Sequence, residues 1–211
     1  MNDIDTSKIT DMNSLFYKLD IHNIDISGWN ISNVITMSNM FLKCTNFTGE
    51  CLENWDISNL IDMTQMFAYC TKFTGEFIEN WNTQNIQSMD GLFFNCIKFN
   101  ANLSKWNVRK VKNMKHMFFN CINFEGNGLE NWKTTKVNNM CSMFHYCKNF
   151  NCNLSKWNVK HVRNFSWMFN GCLKFTGEGL ENWEPKMAIF MYAMFTHCRK
   201  PSWWKKTSKP Y

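Results

Sequence analysis

The sequence is poor in the residues that bend and loosen a chain, with 9 Gly and 3 Pro among 211 residues. It has no run of roughly 18 apolar residues, which excludes an apolar helix spanning a bilayer. The opening MNDIDTSKIT has neither a basic n-region nor an apolar h-region, so a soluble, intracellular protein with no membrane insertion is expected. Catalytic and metal signatures are equally scarce. The ten Cys contain no CxxC pair, and the five His at positions 22, 116, 145, 161 and 197 form no HExxH. There is no nucleophile elbow and no glycine-rich phosphate loop. These absences make an enzyme unexpected, and they leave no cofactor to assign.

What the chain does have is concentrated. Its 45% hydrophobic content comes largely from 19 Phe, 15 Met and 10 Trp, a bias that suggests one short pattern used repeatedly. Tryptophan gives the period: Trp29, Trp55, Trp81, Trp106, Trp132, Trp157 and Trp183 are separated by 26, 26, 25, 26, 25 and 26 residues. Cys44, Cys70, Cys96, Cys121, Cys147, Cys172 and Cys198 keep that spacing, as do Phe41, Phe67, Phe93, Phe118, Phe144, Phe169 and Phe195. An eighth, N-terminal copy is visible at Met12, Leu15, Phe16 and Leu19.

Within each unit, Met-x-x-Met-Phe-x-x-Cys puts apolar residues at i, i+3, i+4 and i+7, one face of a two-turn helix. The residue before the first Met is Asp11, Thr36, Asp62, Ser88, Asn113, Asn139 or Asn164, all able to accept a bond from a first-turn N–H; Phe190 alone departs. The other half, as in Leu103, Trp106 and Val108, alternates in the manner of a short strand. One strand and one short helix cannot bury their apolar faces alone, so successive units must stack. The expectation is an α/β fold: a right-handed solenoid of about eight 25/26-residue repeats, short parallel strands on one side and two-turn helices on the other. Residues 1–10 would form an N-terminal extension, 11–198 the repeats, and 199–211, where RKPSWWKKTSKPY loses the period, a basic C-terminal tail or cap. Pro185 in place of the strand Val would make the last strand a poor template for further pairing.

The joint register WNVxxVxxMxxMFxxCxxF resembles the BspA-like leucine-rich-repeat family in its 25-residue form, over roughly residues 10 to 200. That form is familiar from mycoplasma-type surface lipoproteins and from proteins of large DNA viruses and protists. The resemblance implies a leucine-rich-repeat-like solenoid used for surface adhesion or protein binding, and it brings no catalytic residues. Surface members begin with a signal or a lipobox Cys, and this sequence shows neither, so an intracellular or virus-associated protein is expected.

Each chemically suggestive row has a structural reading beside it. The Cys row occupies an apolar face and is expected to be packed, free thiol, since helices stacked roughly 8–10 Å apart would hold ladder Cys out of disulfide range. A zinc site from His145, Cys147 and Cys152 lacks a fourth ligand. Glu53, Glu79, Glu130 and Glu181 recur two residues before Trp as a solvated row. The Met and Trp rows are core rather than a hydrophobic-ligand groove.

Charge is the informative exposed feature. Residues 1–100 hold 5 Lys/Arg against 12 Asp/Glu, a net −7, whereas residues 101–211 hold 18 against 5, a net +13. Three and four residues after Trp the first three Trp-bearing units are neutral. The next three read Arg109-Lys110, Thr135-Lys136 and Lys160-His161, with Lys112 and Arg163 beyond. The row one residue after Trp includes Asn82, Asn107, Lys133 and Asn158. The expected function is a non-enzymatic scaffold for protein–protein interaction, with candidate contacts at Arg109, Lys110, Lys112, Lys133, Lys136, Lys160, Arg163, Asn82, Asn107 and Asn158. The alternatives are a polyanion binder (nucleic acid or acidic glycan) using the basic half, and a structural component of a virion or surface assembly. Self-association through the oppositely charged halves is a further use of the same charge.

Overall fold

A computed structural model describes residues 4–199. Successive repeats lie on one another as coils, linked by parallel bridges Asp11↔Thr36, Thr36↔Asp62, Asp62↔Ser88, Ser88↔Asn113, Asn113↔Asn139, Asn139↔Asn164 and Asn164↔Phe190. Residues 5–10 join the first coil: the Thr6 hydroxyl donates to the Asn30 carbonyl (2.9 Å) and Asn33 Nδ2 to the Ser7 carbonyl (2.8 Å). The expected basic tail lies outside the described residues, Arg199 excepted.

The expected α/β architecture of parallel strands and two-turn helices does not form. Among the described residues the only helices are three short 3-10 turns, Glu50–Leu52, Glu76–Ile78 and Leu180–Asn182, and the only β pairing is the isolated bridges. On the bridge side, extension lasts too briefly for a strand. After Trp29 and Ile31 the chain turns at once, with Val34 N–H donating to the Ile31 carbonyl at 2.9 Å. Two bonds then frame each bridge: Ile35 N–H donates back to the Thr10 carbonyl (2.8 Å), and Met37 N–H donates forward to the Asp62 carbonyl (3.1 Å). The resulting ladder is one residue wide.

On the other side, Met37–Cys44 forms consecutive turns instead of a helix. Met40 N–H donates to Met37, Leu42 to Asn39 and Cys44 to Phe41, each an i→i+3 bond of 3.0–3.2 Å. Asn39 and Lys43 have φ of 61° and 66°, which no α-helix tolerates. The alternate amides of Asn39, Phe41 and Lys43 therefore leave the coil and donate to Thr64, Met66 and Ala68 of the next one, at 2.8–2.9 Å. An α-helix would keep those bonds to itself; here they fasten coil to coil. The apolar spacing is satisfied all the same, for Met37, Met40, Phe41 and Cys44 are each 0% exposed. The residues expected as helix caps act in a related way: Asp62 Oδ1 accepts the Thr64 N–H at 2.9 Å, and Asn113 Oδ1 the Lys115 N–H at 3.0 Å.

Between the two faces runs an aromatic core. Rings of Phe41, Phe67, Phe93, Phe118, Phe144, Phe169 and Phe195 stack in a column at 5.6–5.9 Å. Phe47, Phe73, Phe99, Phe124, Phe150 and Phe175 form a second column. Burying one such side chain stabilises by roughly 1.5–3 kcal/mol, and a favourable ring pair adds about 0.5–1.5 kcal/mol. The indole N–H groups of Trp55, Trp81, Trp106, Trp132, Trp157 and Trp183 each donate to a carbonyl of the preceding coil, as Trp106 Nε1 does to Ile78 (3.0 Å) and Trp157 Nε1 to Leu129 (2.8 Å).

The Cys row is tied in the same way. Cys44, Cys70, Cys96, Cys121, Cys147 and Cys172 each donate Sγ–H to the Phe carbonyl one coil back, at 2.8–3.1 Å. All ten thiols are free. The helix-spacing argument for this does not hold, because coils bridged in parallel repeat at roughly 5 Å. The row thiols from Cys44 to Cys172 are instead each turned onto a carbonyl.

Candidate functional site

The bridge side is the regular outward surface of the protein. Counting from the Trp position, side chains one, three, four, six and seven residues later face outward, and the bridges hold equivalent residues of neighbouring coils in rows. A shallow furrow opens between the +4 and +6 rows in two separate stretches. Toward the N-terminus it is lined by Lys8, Asn33 and Asn59 on one side and Thr10, Ile35 and Ile61 on the other, with Ser7 at the rim, and holds about 640 Å³. Toward the C-terminus it holds about 470 Å³ and is lined by Lys136, His161 and Met187 opposite Lys112, Asn138 and Arg163, with Thr135 at the rim.

The structure thus brings together Lys112, Lys136 and Arg163 of the sequence candidates. Arg109 and Lys160 sit exposed in the adjoining +3 row, Lys110 in the +4 row and Lys133 in the +1 row. Asn82, Asn107 and Asn158 serve the fold. Their Oδ1 atoms accept the N–H two residues on, from Gln84 (3.3 Å), Arg109 (3.1 Å) and Lys160 (3.1 Å), closing the turn that starts each bridge segment. Sequence reasoning passed over Asn138, Met187, Ile35 and Ile61, and their place at +4 or +6 after Trp was the signal.

Within the furrow the polar side chains bond along the rows. Asn59 Nδ2 donates to the Ser32 carbonyl (2.8 Å) and Asn85 Nδ2 to Ser58 (2.7 Å), while Lys110 Nζ reaches Asn85 Oδ1 (2.6 Å) and Lys112 Nζ reaches Gln87 Oε1 (3.2 Å). The ion pairs among the described residues are His22–Asp20, His116–Asp90 and Lys186–Glu184, so no carboxylate is paired with the furrow's cations. Two like charges roughly 5 Å apart repel by only about 0.8 kcal/mol in water. The fold therefore tolerates the row unaided, and its interest lies in the convergence of the two rows on one furrow.

A second exposed feature lies on the turn side. Phe94 and Phe119, each one residue beyond the buried column, stack at 4.4 Å, with His116, His145 and Tyr146 packed against them. The doubled Phe of Phe93-Phe94 and Phe118-Phe119 was the sequence sign of it. Burial holds the His116 and His145 imidazoles below the ordinary histidine value.

Burial also raises the thiols. Cys44 is pushed up to about 11 and Cys152 to about 12, while Cys70, Cys121 and Cys172 go well above the ordinary value. A thiol held protonated is a poor nucleophile and a poor metal ligand. No group of three or more His, Cys, Asp or Glu among the described residues could hold a metal ion. No helix among them is long and apolar enough to cross a membrane.

Stacked coils of one aromatic-rich repeat define a repeat protein with regular outward rows. The chain belongs to the family described as Mycoplasma protein of unknown function, DUF285, which matches in three overlapping stretches, residues 1–90, 42–128 and 119–202. No curated protein matches it.

Proposed function

We propose that this protein is a non-enzymatic repeat scaffold that binds another protein across its bridge face. The observation that carries the reading is the furrow between the +4 and +6 rows, which recurs in register at both ends of the described stack with side chains anchored along it. Such a surface is rigid because each row is set by the bridge beneath it, and rigid presentation lowers the ordering cost of association. The resemblance to BspA-like leucine-rich repeats supports the same use, since it implies surface adhesion or protein binding. Site-specific photo-crosslinking in extract of the native source tests it, with a photoreactive residue at Thr135 on the bridge face or at Lys98 away from it. A discrete protein adduct from position 135 that is missing from position 98 is expected; no protein adduct from any bridge-face position would refute the reading.

A further inference from the structure

The furrow changes chemistry along its length. In its N-terminal part the +6 row presents Ile35 and Ile61, 46% and 38% exposed, across from Lys8, and the row is aliphatic again at Ile189, beyond Arg163. In its C-terminal part the same row presents Lys112 and Arg163, faced by Lys136 and by His161, whose ring Nδ1 is 3.0 Å from the Thr135 carbonyl. The bridge segments of these three units, 106–113, 132–139 and 157–164, contain no Asp or Glu. Lys112 Nζ bonds Gln87 Oε1, the +6 residue of the unit between the two parts, at 3.2 Å.

We infer that the furrow takes one extended segment of a partner protein, about eight residues long, acidic at one end and aliphatic at the other. The inference rests on the protein-scaffold reading and specifies its ligand. The length follows from the rise. From Ile35 to Arg163 there are five coil steps at roughly 5 Å, and an extended chain advances about 3.3 Å per residue. The basic part spans two of those steps, roughly 10 Å, or three residues of peptide, so three consecutive acidic side chains match it. Arg163 offers a carboxylate a two-pronged hydrogen bond, and the free backbone amides of an extended peptide can bond to the row of polar side chains. A nucleic acid is the less suited occupant. The cationic stretch is too short to follow a strand through several phosphates, the furrow lining holds no Phe, Tyr or Trp, and Ile35 and Ile61 would remain uncovered.

Synthetic octapeptides with three Asp at one end and two Ile at the other, made in both chain orders, test the inference by fluorescence anisotropy against the full chain. One order is expected to bind at least ten-fold more tightly than either the acidic or the aliphatic half alone, with an affinity that falls as salt rises. The triple variant K112S/K136S/R163S should lose at least ten-fold toward the composite peptide yet keep its weak affinity for the aliphatic half, which shows that the furrow is intact. The double variant I35S/I61S should bind the composite no better than the acidic half. An eight-nucleotide single strand or a heparin fragment binding as tightly as the better peptide would overturn the inference, as would unchanged peptide affinity in the triple variant. If a protein adduct forms at position 135 but no peptide binds or competes with it, the inference falls and the scaffold reading stands; if neither occurs, both fall.

Discussion

Gly91→Ala separates the observed turn backbone from the helix that the Met-x-x-Met-Phe-x-x-Cys spacing suggests, because the two predict effects of opposite sign. In a helix interior, Ala is more stable than Gly by roughly 0.5–1 kcal/mol, so the substitution would stabilise. Gly91 has φ of 59°, and its amide donates to the Lys115 carbonyl of the next coil at 2.8 Å. A Cβ there costs roughly 1–2 kcal/mol in the left-handed region. It would also stand 3.0 Å from Gln65 Cγ, an atom of a flexible side chain that can move aside. Against this, the unfolded chain loses freedom worth about 0.4–1 kcal/mol, which favours the variant. The balance is a destabilisation of about 1 kcal/mol. Urea unfolding followed by tryptophan fluorescence reads it as a lower midpoint at unchanged slope. The converse substitution, Gln65→Gly at φ of 52°, should be neutral or stabilising, although a helix would lose about 1 kcal/mol by it. A more stable Gly91→Ala protein together with a less stable Gln65→Gly protein would refute the turn backbone.

The thiol row predicts an alkaline limit on stability. Unfolded thiols ionise near their ordinary value of about 8.5 while the buried row stays protonated, so the unfolded state holds fewer protons above that pH and stability falls as pH rises. Each row thiol contributes up to about 1.4 kcal/mol per pH unit, for Cys44 until about pH 11, and denaturation midpoints between pH 8 and 10.5 should decline. A Cys-to-Ala change along the whole row should flatten that decline. At neutral pH an alkylating reagent should label the row thiols only as fast as the protein opens, whereas denatured, non-reduced protein should titrate most of its ten Cys as free thiol. Trp106→Phe removes the 3.0 Å bond to Ile78 and part of a buried ring, and should cost about 2–3 kcal/mol in the same urea assay.

The repeat and its buried positions were legible, whereas the expected α/β architecture was not borne out, because a repeat announces itself through what it buries. Met37, Met40, Phe41 and Cys44 are inward as their spacing requires, and so are Trp106 and Val108. What that spacing could not distinguish is how the backbone carries them. An α-helix and a run of i→i+3 turns with Asn39 and Lys43 left-handed both put i, i+3, i+4 and i+7 on one side. The difference lies in where the alternate amides go, and no side-chain pattern encodes that when 14 of the left-handed positions are not glycine. The polar residue before the first Met gave a partial signal. Asp62 does accept an N–H two residues on, but that bond closes a turn as readily as it caps a helix.

The two backbones differ on the turn side, whereas the distance between the outward rows is set by the bridges. Packed helices would separate successive repeats by roughly 8–10 Å on the turn side and so splay the stack, while parallel pairing would still set the spacing of the bridge rows. Coils joined through Asn113↔Asn139 and Asn139↔Asn164 bring Lys112, Asn138 and Arg163 to the parallel-bridge spacing of roughly 5 Å, close enough for the row to meet a single extended peptide. The amides that leave the coil on the turn side, as those of Asn39, Phe41 and Lys43 do, hold that side to the same close repeat as the bridge face. Because coil order in space is repeat order in the chain, the furrow lining passes from Ile35 and Ile61, with Lys8, near the N-terminus to Lys112, Lys136 and Arg163 near the C-terminus, a gradient of cationic charge. A partner segment lying along that furrow would be oriented by the gradient, its acidic end over Arg163 and its aliphatic end over Ile35, and reversing the order of the repeats would reverse the direction in which it binds.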